Sequence, residues 1–361
     1  MKSVLIVTRV DFWRKGAGHR SRLTSLINYI KDHFSITIVY AGIVNSRDSV
    51  ILGREYPSIA FVPLEPNKTI SFKEHGELFR SFIAGKHFDI ALIEYLEMSF
   101  VLPMLGENTF TILDTHDLVS DRIESFNKNK LRYDSITLTY EEEISVFNCF
   151  DKVLLIQDKD YNKIGKQLGF DRTLLVPHAA ALNKKILRNE VRNIGFVGSE
   201  YMPNSDGISW FVNNAWLAID DSLTLNIYGK VCDRIAVREE RVKLHGFVDD
   251  VGIAYNHCDI MINPVKCGAG IKIKNIEALS CGLPLITNSH GAIGIDTGKE
   301  RSFIVADTAD EFAAALAKLV KDQSYRKELG NNAFLFAQEN FSPAACYQQL
   351  VDCMLECQLT E

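Results

Sequence analysis

Long apolar runs are missing from this 361-residue sequence: no stretch approaches the roughly 18 to 20 apolar residues that a membrane span needs. The apolar run Val4 to Val7 is too short for the core of a signal peptide, and no small-residue cleavage site follows it. A cytoplasmic protein is therefore expected, with peripheral contact at the inner face of a membrane left open. Neither sign of charge dominates. The 40 Lys+Arg against 46 Asp+Glu leave a formal charge of −6, which argues against a general nucleic-acid binder. The eight cysteines, Cys149, Cys232, Cys258, Cys267, Cys281, Cys346, Cys353 and Cys357, include no CxxC pair, and no His or Cys partner stands at zinc-site spacing. Cys353 and Cys357, one helical turn apart, read as buried thiols rather than as a metal clip. Neither a metal nor a cofactor is expected. Internal repeats and low-complexity tracts are also absent from the sequence.

What is present is alternation. Val4–Val7, Ile36–Tyr40, Ile59–Val62, Ile90–Ile93, Phe110–Leu113 and Val153–Ile156 are short, mostly apolar runs. Strands buried on both faces of a parallel sheet read this way. Helical patterns between them, such as Leu23, Leu26, Ile27 and Ile30, imply βαβ units. From Pro177 to Arg192 the pattern weakens into a polar stretch. It restarts with strands at Ile194–Val197, Leu223–Tyr228, Val242–Leu244, Ile260–Ile262 and Leu283–Ile286. Helices are expected over 206–219, 272–280 (with Gly282 as its C-cap), 309–320, 324–339 and 343–356. The length exceeds one hydrophobic core. The expected fold is α/β, with two Rossmann-like domains over 1–180 and 193–341, joined by a linker at 181–192 and facing each other across a cleft.

Three segments carry chemistry. In Cys267–Thr287, CGAGIKIKNIEALSCGLPLIT, a glycine-rich turn opens a helix, where backbone N–H groups and the helix dipole favour an anion. Lys272 and Lys274 sit at that start. Positive charge is unfavourable there unless an anionic ligand offsets it. Glu277 follows about one turn on and is placed to accept hydrogen bonds from ribose hydroxyls. A plain solvated helix face with a Lys274–Glu277 salt bridge is the competing reading. The second segment, Arg14–Leu23 (RKGAGHRSRL), is locally basic, and Gly16 and Gly18 let its backbone come close to a ligand. A dinucleotide site would want G-x-G-x-x-G, and Ser21 stands at the third glycine. The third, Leu113–Arg122 (LDTHDLVSDR), follows a strand. It therefore places His116 and Asp117 at the C-terminal edge of the sheet, where open α/β sheets bind ligands. The alternative is a structural His116 with Asp117 as a helix N-cap. Asp158-Lys159-Asp160 has the D-x-D spelling of a metal site but reads as a helix start.

GAGIKIKNIEALSCGLPLIT resembles the donor-binding signature of the retaining GT-B enzymes of glycosyltransferase family 4. FVGSEYMPNSDGISWFVNN (Phe196–Asn214) and LHGFVDDVGIAYNHCDIMINP (Leu244–Pro264) resemble further parts of that family's second domain, in the same order. The resemblance implies a GT-B glycosyltransferase, of hexosyltransferase type and metal-independent. Such an enzyme transfers sugar with retention from a UDP-, GDP- or other nucleotide-diphosphate sugar. The acceptor is a glycan, a lipid-linked molecule or a protein, as in polysaccharide biosynthesis. It assigns the donor to Gly198, Ser199, Lys230, Phe247, Val248, Gly268, Ala269, Gly270, Ile271, Lys272, Lys274 and Glu277, with Gly16 and Gly18 from the first-domain loop. His116 and Asp117 are the implied catalytic residues, with His19 and Arg20 on the acceptor side. The architecture also implies a C-terminal helix, within 342–361, that crosses back to the first domain. The chain departs from the family where a first glutamate is usual, at Ala269. That departure supports one rival reading, a non-catalytic sugar-nucleotide-binding partner subunit; a nucleotide-sugar epimerase on the same fold is the other alternative.

Overall fold

The structure is a computed structural model and describes residues 1–65 and 72–357; residues 358–361 of the expected crossover segment lie outside the described residues. The first domain runs β1 (Ser3–Thr8), α1 (Gly18–Ile30), β2 (Ser35–Ile43), α2 (Ser46–Glu55), β3 (Ala60–Glu65), α3 (Phe72–Ile83), β4 (Ile90–Glu94), β5 (Phe110–Asp114), α4 (Val119–Lys128), α5 (Tyr140–Phe147), β6 (Lys152–Leu155), α6 (Asp158–Leu168) and β7 (Thr173–Leu175). The second runs β8 (Asn193–Val197), α7 (Met202–Asn214), β9 (Thr224–Tyr228), β10 (Val242–Gly246), α8 (Gly252–His257), β11 (Ile260–Asn263), α9 (Ile273–Ser280), β12 (Leu285–Thr287), β13 (Ile304–Val305), α10 (Ala309–Lys321), α11 (Gln323–Phe341) and α12 (Pro343–Glu356).

Each domain is a parallel sheet. The first has seven strands in the order β3-β2-β1-β4-β5-β6-β7, and the second six in the order β10-β9-β8-β11-β12-β13. The apolar runs explain the strands: Val4 to Val7 and Ile90 to Ile93 are all 0% exposed. At about 1.5–3 kcal/mol per buried aliphatic side chain, such residues dominate the stability of each sheet. The strand order reverses between β1 and β4, and again between β8 and β11. These switch points are where ligands enter doubly wound sheets.

Two details differ from the sequence reading. The helix expected over 206–219 begins at Met202 and stops at Asn214, followed by a 3-10 turn at Trp216–Ala218. Pro203 explains the early start, because proline suits a first helical turn. Gly282 lies one residue past the C-cap of α9 rather than at it. Its φ is +66°, and the Leu283 N–H donates to Ala278 O at 3.1 Å, as in a Schellman ending.

Between β7 and β8 the chain is irregular and leans on the second domain through Asn183 N–H to Ser280 O (3.1 Å) and Lys185 N–H to Cys281 O (2.9 Å). After α11, capped by Asp322, and α12, capped by Ser342, the chain returns to the first domain. Tyr347, Leu350 and Met354 of α12 are 0% exposed, and Tyr29 of α1 donates to Gln348 at 2.7 Å. Lys2 closes the far end by donating to the carbonyls of Met354 (3.2 Å) and Cys357 (2.6 Å).

Candidate functional site

On the second-domain side, the helix start singled out in the sequence is built as an unusual cation site. Gly270 has φ +69°, in the left-handed region that suits glycine, and its turn brings Ile271 and Lys272 to the head of α9. Lys272 occupies the N-cap position in extended conformation, and among the described residues no side chain caps the helix; the Asn275 amide turns back to Lys272 O at 2.8 Å, while those of Ile273 and Lys274 lie ahead of it at the helix start. Lys272 Nζ donates to Gly270 O at 3.0 Å and, more weakly, to Ala269 O at 3.5 Å. Lys274 Nζ donates to Asn204 Oδ1 at 2.6 Å and lies 4.2 Å from the centre of the Phe196 ring. Among the described residues, both ammonium groups therefore meet only neutral acceptors, and the Lys274–Glu277 salt bridge of a solvated helix face is not formed. Burial lowers both: Lys272 to about 8, partly opposed by the charge of Asp117, and Lys274 to about 7, lowered further by the charge of Lys272. Glu277 instead accepts from the buried Tyr255 hydroxyl at 2.6 Å. Burial raises its pKa, against the Tyr255 bond and the Lys274 charge.

The surroundings hold this arrangement in place. Asn204, at the start of α7, donates to Ser199 O (3.1 Å) and Oγ (3.2 Å), tying Lys274 to the end of β8. Asn263 Nδ2 donates to Asn275 Oδ1 (2.9 Å), and Asn275 Nδ2 donates to Gly291 O (2.8 Å). That buried amide chain pins α9 to β11 and to the loop after β12. Gly198 touches Gly229, where a Cβ would come 2.1 Å from Gly198 O. Lys230, just beyond, is half-exposed on a 3-10 turn, 3.9 Å from Glu200.

On the first-domain side, the ends of β4 and β5 form a buried polar cluster. Arg22 of α1 grips Asp114 with both ends of its fork, Nε to Oδ2 at 2.8 Å and Nη2 to Oδ1 at 2.9 Å. His116 Nε2 and Glu94 Oε2 share a hydrogen bond at 2.6 Å. Tyr95 and His116, each following a strand end, have φ +68° and +60° and stack at 4.0 Å with an 11° interplanar angle. Non-glycine residues in that region cost on the order of 1–3 kcal/mol each and concentrate at functional sites. Burial opposes ionisation of both carboxylates. The Arg22 charge nevertheless holds Asp114 low, while burial and the Asp114 charge keep Glu94 raised. Burial, and then the charge of His116, lowers His19 to about 4. Potential ligand atoms of Glu94, Asp114 and His116 lie within 4.8 Å of one another, but both Asp114 oxygens are already taken by Arg22. A guanidinium stands where a metal would need those oxygens, so the set reads as an ion-pair network.

Several candidate residues sit differently from the sequence expectation. The carboxylate of Asp117 is turned to Arg122, with Nε to Oδ2 at 3.0 Å, and Arg122 Nη2 bonds its other oxygen. Asp117 is not an N-cap either. Glu143 of α5 caps α4, accepting from Val119 N–H at 2.7 Å and Ser120 N–H at 3.2 Å. Arg20 is occupied by Asp11 (2.6 and 2.8 Å) and by Lys15 O, and so braces its own loop. Gly16 and Gly18 serve a close approach between domains. A Cβ on Gly16 would come 2.4 Å from the Phe247 ring, and one on Gly18 2.5 Å from Ile273 Cδ1. Val248 is partly buried against the larger hydrophobic core. A Cβ on Gly270 would lie 3.1 Å from Asp117 Cβ and from His116 O, and Gly268 N–H donates to Ser125 Oγ at 3.0 Å. The two loops singled out in the sequence thus meet across the domain boundary.

Glu94, Tyr95, Tyr255 and Asn204 were not singled out from sequence. For Glu94 and Tyr95 a signal existed, since they end the apolar run Ile90–Ile93 at the ligand-binding edge of the sheet. Arg22, on the buried face of α1 with Leu23, Leu26 and Ile27, broke that face's apolar pattern. Tyr255 and Asn204 gave none.

Among the described residues, no helix is long and apolar enough to cross a membrane. Residues 191–322 match the family described as Glycosyl transferases group 1. An uncharacterized 44.6 kDa protein of the cps region of Klebsiella pneumoniae is 27% identical over 250 residues, 64% of this chain and 63% of that protein, so the matched stretch spans less than two thirds of that relative. The fold of Anabaena HepE, solved with UDP and glucose, covers 99% of this chain and 100% of HepE at TM-score 0.72 and 15% identity. Sucrose-phosphate synthase of Thermosynechococcus elongatus covers 99% of each chain at TM-score 0.76 and 14% identity. The chain therefore has the GT-B fold, and within its second domain residues 191–322 resemble the glycosyl transferases group 1.

Proposed function

We propose that this protein is a glycosyltransferase of hexosyltransferase type. It moves a sugar from a nucleotide-diphosphate sugar to a glycan, lipid-linked or protein acceptor with retention, in the synthesis of a polysaccharide or related glycan. The observation that carries the reading is the head of α9: two half-buried lysines bonded, among the described residues, only to neutral acceptors, at a helix start no side chain there caps, with Glu277 held by Tyr255 along the same helix. Burying two cations together is unfavourable unless something anionic joins them. A diphosphate fits, because charge grows on it as the glycosidic bond breaks, and preorganised cations stabilise that growth. Glu277 then receives the ribose hydroxyls.

His116 supplies a ring at the first-domain side of the same junction. Its Nε2 is fixed on Glu94, so the other ring nitrogen is the one offered to sugar or acceptor. With retention, the acceptor hydroxyl attacks from the face the diphosphate leaves, and its proton passes to the leaving phosphate oxygen. The lysines carry the diphosphate charge in this scheme, which makes it metal-independent. The family of the second domain and the UDP complex of HepE support the donor class. We place the protein in the cytoplasm, with its acceptor side open to a membrane surface.

A thermal-shift panel of UDP, GDP and ADP with their sugar conjugates tests the reading, because a ligand that binds the folded state raises the melting temperature by mass action. One base series is expected to stabilise the protein. Stabilisation by none of them, at millimolar concentration, would remove the donor assignment.

A further inference from the structure

The turn that opens α9, Gly268-Ala269-Gly270-Ile271, offers a bound sugar no polar side chain of its own. Polar atoms do surround it. Gln157 Oε1, Asp160 Oδ1 and His290 Nε2 are buried with no hydrogen-bond partner among the described residues. Gln157 and Asp160, at the start of α6, are 5% and 2% exposed. They reach the turn from the first domain. A Cβ on Gly294 would lie 3.2 Å from Gln157 Cβ and 3.0 Å from Ile271, and one on Gly270 would lie 3.2 Å from Ile156. Lys272 feels the charges of Asp117 and Asp160, so Asp160 belongs to the same neighbourhood. His290, on the loop after β12, hydrogen-bonds toward the backbone of Cys267 and Gly268 and feels the charge of Lys272.

We infer that Gln157, Asp160 and His290 form the subsite for the sugar of the donor, binding its hydroxyls across the domain boundary. This rests on the nucleotide-sugar reading above and adds to it which residues read the sugar.

All three unpartnered atoms are acceptors. The amide nitrogen of Gln157 already donates to Asp160 Oδ2 at 2.7 Å, which leaves its oxygen free. Burial and then the Lys272 charge push His290 down to about 4, so its ring is neutral. A neutral ring that gives its one proton to the Cys267 and Gly268 backbone, toward which it hydrogen-bonds, keeps a lone pair at Nε2. Burial raises Asp160 to about 6, against the Gln157 bond, so at neutral pH it too is mainly an acceptor. A cluster of acceptors calls for a ligand rich in O–H donors, and it repels phosphate. The face of a hexose supplies such donors. Labour is thus divided around one turn, with lysines for the diphosphate and acceptors for the hydroxyls. A sugar that leaves one of these buried acceptors unmatched is disfavoured, which is how such a site discriminates among sugars.

The test is calorimetric titration of the full chain with matched pairs: UDP and UDP-glucose, GDP and GDP-mannose. Wild type is compared with Gln157→Met, Asp160→Asn and His290→Phe, each checked by thermal melting. For the pair that wild type binds, each variant is expected to lose roughly tenfold of the affinity contributed by the sugar, while the bare diphosphate nucleotide stays within about twofold. Should Asp160→Asn fail to fold, Gln157→Met carries the same comparison. Equal losses for both members of the pair, or no loss for either, overturn the subsite and leave the donor reading standing. If wild type binds neither member of any pair, the donor reading falls and this inference with it. If Mg2+ tightens binding of the bare nucleotide to wild type but not to Asp160→Asn, the acceptors hold a cation and the sugar assignment is wrong.

Discussion

Each half of the molecule brings a basic segment to the domain junction, and the two treat their charge in opposite ways. In the basic segment Arg14–Leu23, each arginine has its acid: Arg14 with Asp48 (2.6 and 3.0 Å), Arg20 with Asp11 (2.6 and 2.8 Å), Arg22 with Asp114 (2.8 and 2.9 Å). At the head of α9, Lys272 and Lys274 meet backbone and amide oxygens alone among the described residues, and burial lowers both. A planar guanidinium that finds a carboxylate in fork geometry is a structural tie. A half-buried ammonium with no carboxylate bonded to it is a cost carried by the free protein, and an anionic ligand relieves it. Count of basic residues therefore says little about where an anion binds, whereas their pairing says a great deal.

The largest effect that would test this contrast is on stability. Replacing Arg22 with Met leaves Asp114 charged and buried with no counter-ion, and about 3–5 kcal/mol of first-domain stability should disappear. Urea unfolding with hydrogen exchange in β1, β4 and β5 would register it. A loss under about 1 kcal/mol would mean that the first-half charges are not structural ties. Next comes Lys274→Ala, expected to weaken nucleotide-diphosphate binding about a hundredfold while nucleoside binding and the melting temperature stay nearly constant. Titration calorimetry with diphosphate and nucleoside decides it. Equal losses for both ligands would defeat the phosphate role.

A third effect is in pH. Lys274 loses its proton near 7 and Lys272 near 8 in the free protein, whereas a bound diphosphate favours the charged form. Binding therefore takes up protons, and affinity should fall as pH rises above about 7, by up to roughly tenfold per pH unit for each lysine. For folding without ligand the sign is the reverse. The unfolded Lys274 keeps its proton up to its ordinary 10.5 and the folded one does not, so this residue's contribution to stability rises with pH between about 7 and 10.5. Diphosphate titrations from pH 6.5 to 9, in buffers of different ionisation heat, measure the uptake. Flat affinity across that range would show the lysines to be ordinary surface cations.

The division between what was legible and what was not follows the range of the interactions. The long strands were readable because burial on both faces leaves unbroken apolar runs, as in Val4–Val7 and Ile90–Ile93. The three-residue β7 and two-residue β13 leave none. Lys272, Lys274 and Glu277 could be read because glycine turn, cation and carboxylate fall within one short segment. Pairing could not. Arg22 meets Asp114 across 92 positions and His116 meets Glu94 across 22, so a loop that looks basic in sequence is neutralised by acids the sequence places elsewhere. Asp160 shows the same limit from the other side. Its local setting is that of any acidic residue in a first helical turn. Only the fold shows that it is buried with one oxygen unmatched.

The smallest expected effect sharpens the contrast most, because it separates a cation that lies near the junction from one that serves it. Arg20 stands in the same basic loop, yet it is partly exposed and its fork is filled by Asp11. Exposed or half-exposed pairs are worth about 0–1 kcal/mol. Arg20→Ala should therefore shift the melting temperature slightly and leave diphosphate affinity within about twofold of wild type. A drop comparable to that of Lys274→Ala would mean that Arg20 leaves Asp11 for the ligand when the donor binds. The first half would then contribute ligand-binding charge as well, and pairing in the free protein would no longer separate structural cations from functional ones.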